Sequence, residues 1–498
     1  MQPIHTLGEL KATGYVYRSV KEELRQNLIN KLKQKEPVFE GIFGFDDTVL
    51  PDLQRALLSQ HNILLLGLRG QAKTRIARLT LSLLDEFIPI IKDSELNEDP
   101  LKPLTGQSKI MLADMGDDLP ITWMPRALRF VEKLATPDVS MADLIGDIDP
   151  VKAANNKWSF ADERSIHYGL VPRSNRCIFI LNELPDLQPR IQVSLLNILQ
   201  EGDLQIRGYK LRLPLDIQFV FTANPEDYTN RGNIITPLKD RIDSQILTHY
   251  PDQIEVARLI TNQEANILPE VREHIYLSEY AHNILERISF VARESDFIDS
   301  ASGVSARLSI SGMENLYSSA ELRMLAAGST ETGIRIIDFI GVIPSITGKI
   351  ELLFEGEQEG PYNIALGLIG EAVKDEFLSL FPDPDNKVHK NHKDPYQVIK
   401  NWFSKGNVIE IWYNETDDSL YEKLSSIDGL KDMVLDKIRN KKEAILLMEM
   451  VLFALAEMNI ISREMLDNKV KFSDSLADIF GDILNSDDDS DDDDLNDL

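Results

Sequence analysis

The sequence predicts an α/β fold, in which a largely parallel β-sheet flanked by helices is followed by a mostly helical half. The first observation is that short apolar runs alternate with helical patterns between residues 37 and 250. These runs are ILLL at 63–66, FVEKLA at 130–135, CIFIL at 177–181 and IQFVFTA at 217–223. Such alternation is typical of parallel strands joined by helical crossovers. The second observation is that strand patterns fade after Pro251, where segments such as 254–260 and 282–291 have helical periodicity.

Changes in pattern divide the chain into five predicted segments. An N-terminal helical segment, 1–36, contains a predicted capping box formed by Ser19 and Glu22. It is followed by an α/β domain at 37–250, a helical domain at 251–345 and a mixed, mostly helical extension at 346–475. The last segment, 476–498, ends in SDDDSDDDDLNDL, and we expect it to be disordered because its aspartates repel one another.

The composition excludes several classes of function. Lysine and arginine number 53 against 81 acidic residues, a formal charge of −28, which argues against broad attraction to nucleic acid or anionic lipid. The single cysteine, Cys177, excludes an intrachain disulfide framework, and the N-terminus lacks the apolar stretch of a secretory signal. The longest apolar stretch, 444–461, carries Glu449 and Glu457, which suit a mostly buried helix with a wet edge better than a membrane span. We therefore expect a cytoplasmic protein.

Residues 63–74, ILLLGLRGQAKT, have the pattern of a phosphate-binding loop between a buried strand and a helix. The candidate nucleotide-binding residues are Gly67, Gly70, Gln71, Ala72, Lys73, Thr74 and Arg75. Lys73 would neutralise phosphate oxygens, and Thr74 would supply a hydroxyl for magnesium ahead of a helix predicted at 75–84. Ala72 replaces the second glycine of the pattern, and we expect it to be tolerated because a helical φ is open to alanine. A glycine-containing turn that binds no ligand is the alternative.

Polar residues follow two further strands of the predicted sheet. Asn182 and Glu183 end the run at 177–181, where magnesium ligation and activation of water are expected in a nucleotide-hydrolysing sheet. Asn224 ends the run at 217–223 with an amide that can orient an attacking water. Two arginines, Arg241 and Arg307, come later and are candidates for stabilising charge on a γ-phosphate.

In this order the motifs resemble the Walker A, Walker B, sensor 1, arginine finger and sensor 2 motifs of an AAA+ ATPase. More specifically, they resemble those of the ATPase (I) subunit of magnesium chelatase and its MoxR-like relatives of the helix-2-insert clade. The further segments that carry the resemblance are GIFGFDD at 41–47, LIGDIDPVKA at 144–153, HYGLVPRSNRCIFILNELPDL at 167–187, FTANPEDYTNRGNIITPLKDRID at 221–243 and SGVSARLSI at 302–310. The resemblance covers about residues 37–345.

The resemblance implies a P-loop AAA+ parallel sheet flanked by helices, an α-helical lid, and a hexameric ring that binds ATP and Mg²⁺ between subunits. It implies that Glu183 is the catalytic base, Asn224 sensor 1, Arg241 the arginine finger acting in a neighbouring subunit and Arg307 sensor 2. Magnesium would contact Thr74, Glu183 and, through water, Asn182. Arg190 and Arg231 are further candidates for contacts between subunits, whereas a surface salt bridge with Asp240 or Asp243 is the alternative for Arg241.

The resemblance also implies two mobile insertions, a β-α-β unit at 147–169 and a hairpin at 201–213. One departure from the family concerns Asn182, because Walker B normally ends in Asp-Glu. An amide still accepts a hydrogen bond but removes a negative charge near the metal, so slower hydrolysis or weaker magnesium binding is our hypothesis. The alternative is that Asn182 simply caps its strand.

Two other segments carry weaker expectations. Residues 348–360, GKIELLFEGEQEG, are expected to form a solvated strand-turn. His389 and His392 have metal-like spacing, but they lie in a proline-rich loop among lysines, and we expect no metal site there.

Three functions are compatible with these motifs. The first is an ATP-hydrolysing motor that remodels a separate partner, which by family resemblance would carry a von Willebrand factor A domain. The second is an enhancer-binding type of transcription activator, although the GAFTGA loop and a terminal helix-turn-helix are not found in the sequence. The third is a nucleotide-dependent scaffold with little turnover, in which Ala72 and Asn182 mark a slow site.

Overall fold

The computed structural model describes residues 4–158, 162–201, 203–206, 209–225, 233–384, 394–466 and 468–475. Its contacts group the chain into two compact units, 1–250 and 251–498. The predicted acidic tail, the two histidines at 389 and 392, and Arg231 lie outside the described residues.

The first unit is built on a five-stranded sheet in which every neighbouring pair of strands is parallel. From one edge to the other, its strands are β4 (Phe130–Leu134), β7 (Cys177–Asn182), β10 (Ile217–Ala223), β1 (Ile63–Leu66) and β11 (Ser244–Leu247). The four predicted strands are confirmed. Because the strands are parallel, their carboxyl ends meet at a single edge, where Gly67, Glu183 and Asn224 follow β1, β7 and β10.

The sheet is buried on both faces because successive side chains of each strand enter different hydrophobic clusters. Ile63 and Leu65 of β1 pack with α2 (Val20–Gln34), α3 (Val49–Leu58) and α4 (Lys73–Leu79). Leu64 and Leu66 point to the opposite face and share a cluster with α9 (Pro189–Glu201). This double burial explains why β1, β7 and β10 are predominantly apolar rather than alternating between apolar and polar residues.

The remaining elements of the first unit surround this sheet. The helices are α1 (Leu7–Ala12), α5 (Gly106–Met115), α6 (Met141–Leu144), α7 (Pro150–Asn156), α8 (Leu170–Arg173) and α10 (Thr236–Arg241). Antiparallel pairs join β2 (Phe87–Ile91) to β3 (Ile121–Pro125), β5 (Gly146–Ile148) to β6 (Ile166–Tyr168), and β8 (Asp203–Ile206) to β9 (Tyr209–Arg212). The expected β-α-β insertion is therefore β5-α7-β6, and the expected hairpin is β8-β9. The helix predicted at 75–84 instead begins at Lys73 and tightens into a 3₁₀ turn at Thr80–Leu83.

A buried ion pair joins helix α2 to Arg129, the residue that immediately precedes β4. Arg129 donates from Nη1 and Nη2 to the two carboxylate oxygens of Glu23, each at 2.6 Å. The guanidinium also donates to the Arg176 carbonyl oxygen at 3.0 and 2.9 Å, and Glu23 accepts from the Asp85 amide at 2.6 Å. Because the Arg129 side chain is 1% exposed, these partners must offset the free-energy cost of removing its guanidinium group from water.

The second unit is mostly helical and has one extended hydrophobic core, which runs from Ala265 to Phe472. Its helices are α11 (Ile254–Glu264), α12 (Pro269–His274), α13 (Glu279–Glu294), α14 (Arg307–Ala326), α15 (Ile343–Thr347), α16 (Phe354–Glu359), α17 (Pro361–Leu380), α18 (Gln397–Phe403), α19 (Asp417–Ser425), α20 (Leu430–Val434) and α21 (Lys441–Glu457). Its strands are the parallel pair β12 (Ile275–Tyr276) and β13 (Thr332–Gly333), and an antiparallel sheet of β14 (Ile409–Trp412), β16 (Lys469–Ser473) and β15 (Ser462–Leu466). No helix among the described residues of either unit is long and apolar enough to cross a membrane.

Two sequence expectations for the second unit were wrong. The expected strand-turn at 348–360 contains helix α16, because acidic residues occupy its first turn and Gly360, with a φ of 90°, ends it. Glu449 was expected at a wet edge of its helix, but it is completely buried, and its Oε2 accepts from the Ile336 amide at 2.9 Å. Burial raises the pKa of Glu449 to about 7, although Arg335 opposes the shift.

The buried ion pair predicts that its disruption lowers the free energy of unfolding more than the disruption of an exposed ion pair does. Glu23→Ala should lower the free energy of unfolding by about 3–5 kcal/mol, because it leaves the Arg129 charge buried without its carboxylate. Lys11→Ala is the matched control, since the Lys11–Asp117 pair is exposed and should contribute below about 1 kcal/mol. Urea denaturation measures both values, and equal costs for the two variants would contradict the assignment.

Glu449 predicts that stability falls as the pH rises. The pKa of this carboxyl is 4.5 in its ordinary state and about 7 in the folded chain. Protonation therefore favours folding, and stability should decrease by up to about 3 kcal/mol between pH 5 and 8. Glu449→Gln removes this component, so the profiles of variant and wild type should diverge towards higher pH, with the variant the more stable at pH 8. Parallel profiles in urea denaturation across this range would refute the prediction.

Candidate nucleotide-binding site

The predicted phosphate loop connects the carboxyl end of β1 to the start of α4. Gly67 allows a close approach, because a Cβ atom there would lie 2.0 Å from Thr248 Oγ1 and 2.2 Å from Gln71 Oε1. Gly70 has a φ of 75°, a conformation that favours glycine. The Lys73 ammonium group lies over the loop and donates to the carbonyl oxygens of Gly67 and, at 3.0 Å, of Leu68. The positively charged Lys73 side chain is thus nearly buried within the loop.

Ala72 adopts a left-handed conformation, with φ 55° and ψ 13°, at the N-cap of α4. The expectation that alanine would need no positive φ is therefore wrong. The left-handed backbone explains why the phosphate-loop pattern has glycine at this position, since in this conformation a Cβ atom lies too close to the following carbonyl oxygen. Alanine retains the loop conformation at the expense of strain.

The residues after β11 hold the loop in place. Thr248 Oγ1 donates to Gln71 Oε1 at 2.8 Å, and the Thr248 amide donates to the Leu66 carbonyl oxygen at 2.8 Å. The Tyr250 hydroxyl donates to the Arg69 carbonyl oxygen at 2.7 Å. Gln71, which was predicted to contact nucleotide, is 6% exposed and contributes to this support of the loop.

Beside the loop, Asn182 is the centre of a hydrogen-bond network at the strand ends. Its Oδ1 accepts from Thr222 Oγ1 at 3.1 Å and lies 3.5 Å from Thr74 Oγ1. Thr222 Oγ1 in turn accepts from the backbone amide of Glu183 at 3.2 Å. Asn182 therefore does more than cap its strand, because its amide oxygen faces the hydroxyl predicted to bind magnesium.

Glu183 follows Asn182 in a left-handed conformation, with a φ of 54°. A non-glycine residue in this region is strained, and such strain is found preferentially at functional sites. The conformation ends β7 abruptly and leads directly into a 3₁₀ turn at Leu184–Asp186.

Sequence reasoning missed Glu132, which accepts from Asn182 Nδ2 at 2.7 Å. Glu132 lies on the neighbouring strand β4 and also pairs with Arg78, whose Nε donates to Oε2 at 2.9 Å. The sequence held a signal, since Glu132 interrupts the apolar run FVEKLA of a predicted strand. Thr222 was missed as well, two residues before Asn224.

Asn224, the predicted sensor 1 residue, lies just past the end of β10 and is 5% exposed. Its Oδ1 has no hydrogen-bond partner among the residues that the structure describes. Burying an amide oxygen without a hydrogen-bond partner is unfavourable. This acceptor is therefore available to a ligand or a water molecule.

The two predicted arginines lie in different units, and Arg241 is not part of this cluster. Arg241 ends α10 and is exposed, donating to Asp240 from Nη1 and to Gln200 Oε1 at 3.4 Å from Nε. Within one chain it therefore forms the surface ion pair considered as the alternative. Arg307 is exposed at the first position of α14 in the second unit. The roles of both residues stay predictions.

The donor set suits magnesium in a nucleotide site. Thr74 and Asn182 present oxygen atoms towards each other, and Glu183 is adjacent in sequence. Magnesium prefers oxygen ligands and usually takes only one or two from the protein, with phosphates and water completing its shell. Within the described ranges there is no group of three or more His, Cys, Asp or Glu residues that would form an all-protein metal site.

Comparisons with known proteins bear on the domain in which this site lies. Residues 154–245, from α7 through β11, match the Sigma-54 interaction domain family, an AAA+ domain, which supports ATP hydrolase activity. No curated protein matches the chain significantly. The parallel sheet flanked by helices and the loop after β1 have the arrangement of a P-loop α/β fold, and the second unit is mostly helical.

Three similar solved structures are all at low identity. NtrX from Brucella abortus is 14% identical with a TM-score of 0.33; the match covers 59% of this chain and 54%, about half, of NtrX. A putative ATPase from Cytophaga hutchinsonii is 19% identical with a TM-score of 0.28, covering 72% and 97% of the two chains. A chain of the magnesium chelatase BchI–BchD complex is 19% identical with a TM-score of 0.32, covering 64% and 98%.

The strain at Ala72 predicts that glycine would stabilise the loop. Ala72→Gly should raise the free energy of unfolding by about 1 kcal/mol, because glycine adopts a positive φ without the Cβ contact. Ala77→Gly, inside α4, is a control of opposite sign and should lower it by at least about 1 kcal/mol. If urea denaturation shows that Ala72→Gly also destabilises, strain does not explain this position.

Proposed function

We propose that this protein is an AAA+ motor that hydrolyses ATP at the strand-end site and uses the energy to remodel a partner protein. The observation that carries the proposal is the convergence of Thr74, Asn182, Glu183 and Asn224 at one edge of the sheet, beside a loop centred on Lys73. These residues come from the start of α4 and from the carboxyl ends of β7 and β10, and they were predicted separately from sequence. Their convergence supports a nucleotide site over a glycine-containing turn without a ligand.

Each residue has a distinct role in the proposed reaction. The Lys73 ammonium neutralises phosphate charge, and the loop amides donate to phosphate oxygens. Thr74 and, through water, Asn182 hold Mg²⁺, together with Glu183; the ion supplies charge neutralisation on the phosphates when bound. Glu183 accepts the proton of the attacking water, while the Asn224 side chain orients that water.

The proposed site is completed between subunits of a ring, which by family resemblance is a hexamer. Arg241 is exposed at the end of α10, where its guanidinium is accessible to a neighbouring chain, and its pair with Asp240 is exposed and weak. We propose that it acts as the arginine finger of that neighbour's site, and that Arg307 acts as sensor 2. The helical segment 251–345 would then be the lid.

The resemblance to the ATPase subunit of magnesium chelatase supports a client that carries a von Willebrand factor A domain. BchI is seen together with BchD in the similar complex. A cytoplasmic location is part of the same proposal, and nucleic acid is not expected as a client because the chain carries a charge of −28.

The second candidate is a transcription activator that remodels the sigma-54 form of RNA polymerase. The specific observation in its favour is the match of residues 154–245 to the Sigma-54 interaction domain. Against it, the sequence contains no GAFTGA loop. A binding experiment distinguishes the two candidates. The chain is mixed with ATP and either a purified von Willebrand factor A domain protein or purified sigma-54, and the partner with which it co-purifies identifies the client.

Phosphate release tests the motor directly. Wild-type protein with magnesium and ATP should release phosphate with an activity per chain that rises with protein concentration. Lys73→Ala should abolish ATP binding, whereas Glu183→Gln should retain binding and slow turnover by roughly 10²–10⁴-fold, the usual contribution of a general base. Arg241→Ala should also be inactive alone.

Mixing the variants adds a sharper control for sites shared between chains. Lys73→Ala retains an intact Arg241, and Arg241→Ala retains an intact loop. Together they should recover part of the wild-type activity, because some interfaces combine the two intact halves. ATP binding without turnover in the wild type, in the presence of the partner, would favour the scaffold interpretation instead.

A further inference from the structure

The proposed site departs from the usual Walker B pattern at Asn182, and the structure places a carboxylate directly behind that residue. Glu132 comes from β4, the neighbouring strand, on which it pairs with Ile180, two residues before Asn182. Side chains two residues apart on a strand share a face, so the Glu132 and Asn182 side chains meet on one side of the sheet.

We propose that Glu132 is a positioning residue for magnesium: it orients the Asn182 amide, so that the two side chains together replace the missing Walker B aspartate. This inference rests on the proposed nucleotide site. It names Glu132 as the residue that allows the site to bind magnesium although Asn182 replaces the Walker B aspartate. The Asn182 Nδ2 group donates to Glu132 Oε1 at 2.7 Å, which directs Oδ1 towards Thr74 and Thr222.

Orientation matters for an amide in a way that it does not for a carboxylate. An aspartate presents an oxygen whichever way it turns, whereas a flipped asparagine would present its NH₂ group to the Thr74 hydroxyl and to any bound cation. A hydrogen bond to an ionised carboxylate is stronger than one to a neutral acceptor. Glu132 therefore favours the one orientation in which Asn182 accepts hydrogen bonds on the loop side.

Glu132 also returns negative charge to the neighbourhood of the site. Its partner Arg78 is 62% exposed, so solvent screens that pair, whereas the Glu132 side chain is 22% exposed. The arrangement separates two roles that an aspartate would combine: the amide supplies the acceptor oxygen, and the strand behind it supplies the charge.

The experiment measures nucleotide affinity as a function of magnesium, using a fluorescent ADP analogue and the full-length chain. In EDTA, Glu132→Ala should bind the analogue as the wild type does. The magnesium concentration that gives half of the metal-dependent gain in affinity should rise about tenfold, the usual effect of losing an outer-shell partner. Lys133→Ala, one residue along on the opposite face of the strand, is the control and should match the wild type.

Double substitution tests orientation against a general loss of structure. Asn182→Asp in the Glu132→Ala background should restore the magnesium requirement to near the wild-type value, because aspartate needs no orienting partner. Asn182→Asp alone should bring no gain over the wild type, since it sets two carboxylates against each other across the strands. If Glu132→Ala fails to fold, two other variants are compared: the single variant Asn182→Asp and the double variant Glu132→Gln/Asn182→Asp. The double variant should require less magnesium than the single variant.

Three results would overturn the proposal. The first is an unchanged magnesium requirement in Glu132→Ala, and the second is the absence of rescue by Asn182→Asp; both leave the proposed ATPase function intact, because nucleotide still binds. The third is failure of the wild type to bind the analogue with or without magnesium, which overturns the proposed function together with this inference.

Discussion

Parallel pairing of five strands is the constraint on which the rest of the first unit depends. Because β1, β7 and β10 run in the same direction, the residues that follow them are brought to one edge although they are far apart in the chain. The same pairing buries both faces of the sheet, and it requires helical crossovers between the strands. The proposed site thus follows from the topology, and the loop after β1 lies where polar groups from two other strands converge.

Several polar side chains at the strand ends are linked in one hydrogen-bond network. Asn182 connects the Thr74 hydroxyl, the Thr222 hydroxyl and the Glu132 carboxylate, so three strands and the phosphate loop share one network. Strain accumulates in the same region, at Ala72 and Glu183, both of which adopt a positive φ. Such strain persists only when the surrounding packing holds it, and here the buried sheet and the contacts of Thr248 with the loop do so.

Buried charges show how each unit tolerates polar groups in its core. In the first unit, Glu23 and Arg129 form a bidentate pair that joins α2 to the turn preceding β4. In the second, Arg323 is held by Asp338 at 2.8 and 2.9 Å, and Arg335 donates to Asp417. Glu449 lies in the same core and has no such bidentate partner among the described residues, which is why burial dominates its pKa.

The sequence by itself determined four strands of the parallel sheet, and it predicted the phosphate loop and the order of the polar residues after the strands, because apolar periodicity and short motifs are local. Only the tertiary structure decided that Ala72 has a positive φ, that Glu449 is buried and that Glu132, 50 residues away in sequence, orients Asn182. These features depend on strand register and on packing between distant segments, whose energies are not encoded in any short window. The proposed contacts of Arg241 with a neighbouring subunit would depend likewise on a second chain.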